Sequence, residues 1–123
     1  MEALDSLQRG VELFNAGLFW ESHEAWEELW LELEGTDKLF LQGLIQLAAA
    51  YHKAFVQEQP RGCVRLLEAS LEKLAPAPVD HLGVRTGPIL ERARRNLEVA
   101  KRWLEGTGPA LSRDEVARVD LLA

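Results

Sequence analysis

Apolar residues recur at helical spacing along almost the whole chain, broken by glycines and prolines and nowhere replaced by the sustained alternation of strands. That pattern confines the chain to an all-α fold. Leu4, Leu7, Val11 and Phe14 form the stripe of a first helix over about 3–16, and Gly17 caps its end in the left-handed conformation. A second helix runs from about Phe19 to Glu34 with Gly35 as its cap. Thr36 or Asp37 opens a third, which continues to about Gln59, where Pro60 forbids more helix and can itself open the fourth. The fourth ends near Leu74, because Pro76 and Pro78 follow. Residues 75–85 form the longest irregular connection. Thr86-Gly87-Pro88 then starts a fifth helix, and Gly106-Thr107-Gly108-Pro109 stops it after Glu105. Ser112 with Glu115 makes a capping-box pattern, which predicts a short sixth helix over 113–121. The expectation is one domain over residues 1–123, a compact bundle of about five helices with residues 106–123 as a C-terminal extension.

The third helix is expected at the centre. Its polar stripe is narrow (Gln42, Gln46, Lys53, Gln57), and Gly43 with Ala48-Ala49-Ala50 lets neighbours approach closely. The same polar residues, with His52, break the run Leu39 to Phe55, so it does not read as a membrane span. Met1 to Asp5 lacks the basic and apolar regions of a secretory signal, which favours the cytoplasm. The lone Cys63 has no disulfide partner and reads as a core residue.

A net charge of −6 argues against non-specific nucleic-acid binding, which needs a basic footprint. The charge is unevenly spread: residues 1–60 carry 11 acidic and 3 basic groups, residues 61–123 carry 9 acidic and 11 basic. The two halves should therefore attract one another, within a subunit or between two. Glu21, Glu24, Glu28 and Glu32 occupy the outer arc of the second helix, and three of the four tryptophans lie on that helix. Together these features predict a homodimer.

The residues with chemical potential sit in the same stretch. His23 lies at the margin of a stripe made by Phe19, Trp26, Trp30 and Leu33, with Glu27 between Trp30 and Trp20. On the third helix His52 is flanked by Leu41, Ile45, Ala48 and Val56, and on the fifth Asn96 interrupts an apolar face. If the helices pack together, the rings of His23 and His52 point into one region. Two functions fit these residues. In the first, His23, Glu27 and His52 hold a divalent metal, or His23, Glu24 and Glu27 do hydrolase-like acid–base work, in a pocket supported by Trp20, Trp26, Trp30 and Asn96. In the second, the same groups are a mutually satisfied structural network in a non-catalytic module that dimerises or docks a partner. The spacing fits neither the zinc-protease motif, which needs histidine at position 27, nor the di-iron pattern, which needs glutamate three residues before each histidine.

The stretch Phe14-Asn15-x-Gly17-x-Phe19-Trp20-Glu21-x-His23-Glu24-x-Trp26-Glu27-x-x-Trp30, followed by Phe40-Leu41-Gln42-Gly43-Leu44-Ile45-Gln46-x-Ala48-Ala49-Ala50-x-His52, resembles a bacterial and archaeal family known as domain of unknown function three hundred and nine. The resemblance covers roughly the first half, with weaker similarity at Gly62, Leu66, Leu67 and Leu82-Gly83-Val84. It implies a small helical bundle whose motif histidines and glutamates suggest a metal site, and it carries no established activity. The segment beyond about Glu105 lies outside it.

Overall fold

The computed structural model describes residues 2–77 and 79–122, with side chains from Asp5 onward; the side chain of Leu4 and all of Pro78 lie outside the described residues. Five helices follow in order: α1 (Glu2–Asn15), α2 (Phe19–Trp30), α3 (Gly35–Phe55), α4 (Pro60–Leu74) and α5 (Thr86–Glu105). Each packs on its neighbour in sequence, α1 on α2, α2 on α3, α3 on α4 and α4 on α5. Helix α3 is central as expected, with Leu41, Leu44, Leu47, Ala48, Ala50 and Tyr51 fully buried.

Small residues set the spacing between helices. A Cβ added at Gly10 would collide with the indole of Trp26, whose Nε1–H donates to the Leu7 carbonyl at 3.1 Å and so pins α2 to α1. At Gly43 a Cβ would meet Leu74 at 2.7 Å, and the Ser70 hydroxyl donates to the Gly43 carbonyl at 2.7 Å. Both contacts require the glycine for close approach.

Two helices are shorter than the sequence suggests. Helix α2 stops at Trp30, four residues early, because Glu32 and Leu33 N–H groups turn to the carbonyls three residues back and tighten the last turn. Helix α3 stops at Phe55, where the Gln57 N–H returns to the His52 carbonyl and Glu58 takes a left-handed φ of 51° before Pro60.

The expected sixth helix is a single 3₁₀ turn, Arg113–Glu115, although the Ser112/Glu115 capping box does form. The chain leaves it extended, because side chains of α1 and α3 take the backbone bonds that a helix would have made. Ala117 N–H donates to the Tyr51 hydroxyl at 3.0 Å. Val119 N–H donates to Asn15 Oδ1 at 3.0 Å, while Asn15 Nδ2 donates to the Val119 carbonyl at 2.9 Å. Leu111, Ala117 and Val119 are buried, so this segment is a strap that belongs to the core.

The irregular connection contains a small antiparallel hairpin, β1 (Asp80–His81) and β2 (Val84–Arg85), in which His81 faces Val84. Its two turn residues, Leu82 and Gly83, have φ of 52° and 75°, the positive values that two-residue hairpins favour. Val84 also bridges to Leu121, and Arg85 N–H donates to the Asp120 carbonyl at 3.0 Å, so the strap fixes the hairpin in place.

Candidate functional site

The turn at Gly17, with φ of 83°, carries the chain from α1 into α2 and sets Trp20 on the outside of the first helical turn. Trp20 is 44% exposed. Two imidazoles contact its ring: that of His23 lies parallel to it at 4.5 Å and 9°, and that of His52 on α3 stands 5.0 Å away at 39°. The two motif histidines thus share one indole. Beside it opens a cleft of about 490 Å³ lined by Leu18, Trp20, Glu21, His52, Val56 and Arg113, among others. Arg113 comes from the strap, with its guanidinium 4.8 Å from the Phe55 ring.

Glu27 does not face apolar surroundings. Its side chain is 54% exposed and its Oε1 is 3.5 Å from His23 Nε2, a surface pair one helical turn apart. Glu24 is exposed as well. The cause is a rotation of α2 relative to the stripe read from its large residues. The face that enters the core consists of Phe19, Ser22, Ala25, Trp26 and Leu29, with the Trp26 indole seated over Gly10 of α1. Trp20, Glu24, Glu27, Glu28 and Leu31 are thereby turned outward together, at about 100° per residue.

The remaining expected pocket residues go elsewhere. Trp26 is fully buried against Phe14, with ring centroids 5.7 Å apart, and belongs to the core. Trp30 is half-buried under the Lys38 ammonium, 4.1 Å from its ring, at the other end of the α2–α3 contact. Asn96 is buried, but it accepts from the Tyr51 hydroxyl at 2.5 Å and donates to the Glu115 carbonyl at 2.9 Å, so it ties α3 to the strap instead of serving the histidines. Burial raises the Tyr51 phenol, partly opposed by the Ala117 N–H, and burial pushes the Cys63 thiol up to about 12.

Four polar atoms on α2 and α3, Ser22 Oγ, His23 Nδ1, Trp30 Nε1 and Gln46 Oε1, are buried without a hydrogen-bond partner among the described residues. Such groups are uncommon in folded proteins, and each costs on the order of 1–3 kcal/mol. Among the described residues no group of three or more His, Cys, Asp or Glu side chains is placed to hold a metal ion, so His23, Glu27 and His52 do not fit a three-ligand site. Nor is any described helix long and apolar enough to cross a membrane.

One pair escaped the sequence reading altogether. His81 Nε2 lies 2.8 Å from Asp37 Oδ1, and its ring packs on Phe40 at 4.8 Å, beside a second cleft between α3, α4 and the hairpin. The partners are 44 residues apart, and only the hairpin brings them together.

No curated protein matches the chain. Residues 7–66 match the family described as "Domain of unknown function (DUF309)", a span that runs from α1 into α4 and includes Trp20, His23 and His52. Over residues 7–66, a little under half of its length, the chain is therefore similar to this family.

Proposed function

We propose that this chain is a docking module, cytoplasmic and non-catalytic, that uses the outward face of α2 to bind a second copy of itself. The observation that carries the reading is Trp20, a half-exposed indole packed against two imidazoles. A large aromatic surface that is already packed loses little freedom on binding, and such residues anchor interfaces. Exposed Leu18, Leu31 and Val56 extend the apolar area, and Glu21, Glu24, Glu27 and Glu28 rim it with negative charge.

Charge complementarity selects the partner. Arg92, Arg94 and Arg102 are exposed on α5, three helices on from α2 in the packing order, as is Arg95, which pairs with Glu91 at 3.2 Å. In a two-fold pair the acidic α2 of each copy can meet the basic α5 of the other, so the contact is made twice. Sedimentation equilibrium at high micromolar concentration tests this: the expected result is a dimer that weakens as salt rises, because rim charges are screened. A monomer at low and moderate salt would contradict it.

A second reading, acid–base chemistry, is favoured by the His23–Glu27 pair at 3.5 Å together with the unpartnered His23 Nδ1. A divalent metal finds less support, since the expected ligands do not form a three-donor group.

A further inference from the structure

We propose that the cleft beside His81 is a binding site for a small apolar molecule carrying a carboxylate, separate from the Trp20 face. The cleft has a volume of about 330 Å³, at the lower end of the range typical of small-ligand sites. Leu39, Phe40, Pro76 and Ala77 provide apolar walls, and Lys73 and His81 stand among them. Leu39 is 52% exposed, an apolar side chain that a bound hydrocarbon would cover.

The polar groups favour an acid over an alcohol or an amine. Asp37 is already engaged at His81 Nε2, which fixes the imidazole and occupies the Asp37 carboxylate, leaving Lys73 as the cationic group of the lining. The Phe40 ring supports the imidazole from the side. Lys73 adds an ammonium group on the same lining. A carboxylate can accept from the Lys73 ammonium, and charge-assisted bonds of this kind are the stronger ones. Glu72 also lines the cleft, but it is exposed and stays hydrated at the rim.

The probes are octanoate, octanol and octylamine, each titrated into the ¹⁵N-labelled full chain and followed by amide shifts. Octanoate is expected to bind saturably, shifting Phe40, Ala77 and His81 while leaving Trp20 and His52 unmoved. Octanol should bind about tenfold more weakly and octylamine more weakly still. In Lys73→Met the octanoate affinity should fall about tenfold toward that of octanol, with octanol itself unchanged. Ala77→Trp should remove both by filling the cleft. Octylamine binding as well as octanoate, shifts centred on Trp20, or no saturable octanoate binding up to about 10 mM would each overturn the proposal. These comparisons use the wild-type chain, so they stand even if a variant fails to fold.

Discussion

Tyr51 illustrates how much one side chain can join. Its hydroxyl accepts from Ala117 and donates to Asn96, so a single buried oxygen links α3, α5 and the strap. Cys63 is buried nearby in sequence on α4 without a disulfide. Both groups ionise to anions, and burial raises both pKa values above those of the unfolded chain. A raised folded value means that their stabilisation is complete below the unfolded pKa and is lost at higher pH. Stability should therefore begin to fall near pH 9 through Cys63, with its loss complete at about 12. The slope should be about 1.4 kcal/mol per pH unit for one proton, steepening above pH 10 as Tyr51 adds a second. Denaturant melts across pH 8–11 measure this, and Tyr51→Phe should remove the steepening. A profile that stays flat to pH 11 would contradict the burial of both groups. Glu27 gives the opposite case. Its pair with His23 is at the surface, so Glu27→Gln should change stability by no more than about 0.5 kcal/mol. A loss well above that in a chemical melt would mean that the pair is structural.

Helix α2 carries most of the account at the level of elements, and it is where sequence and structure diverge. Its existence and start were legible from the apolar spacing, as were the positions of α1, α4 and α5. Its rotation was not. Tryptophans dominate any apolar stripe drawn on a wheel, yet the buried face centres on Ser22, Ala25 and Leu29 because the contact with α1 is a close one. The decisive residue is on the other helix: Gly10, which leaves room for the Trp26 indole. Gly10→Ala should therefore destabilise the fold by about 1–3 kcal/mol through overpacking, despite a helix-propensity gain of about 1 kcal/mol. A thermal melt in which the variant matches or exceeds wild type would show that α1 and α2 are not held this closely. The strap misled for a related reason. Its capping box predicts a helix start correctly, but the continuation depends on Asn15 and Tyr51, about 104 and 66 residues away from their partners, and no local pattern encodes that. The convergence of His23 and His52 was foreseeable from two interrupted stripes. The His81–Asp37 pair was not, because its geometry is created by a two-residue hairpin within a segment that reads only as loop.

For the molecule as a whole, the charge seen in the sequence is uneven, with 11 acidic and 3 basic groups in residues 1–60. The helices pack in sequence order, while the C-terminal strap returns to α1 and α3 and sets Arg113 beside Glu21 at the Trp20 cleft. The proposed pairing with a second copy would use the acidic outward face of α2, on which Trp20 stands. In the proposed dimer Trp20 anchors the contact and is not needed for the fold. Sedimentation equilibrium of Trp20→Ala beside wild type tests this most directly, with thermal melts as the control on folding. The account predicts a variant that melts cooperatively as a folded monomer while wild type remains dimeric, a loss of at least about 2 kcal/mol of association free energy, as expected of an interface anchor. A Trp20→Ala variant that still dimerises as tightly as wild type would contradict it.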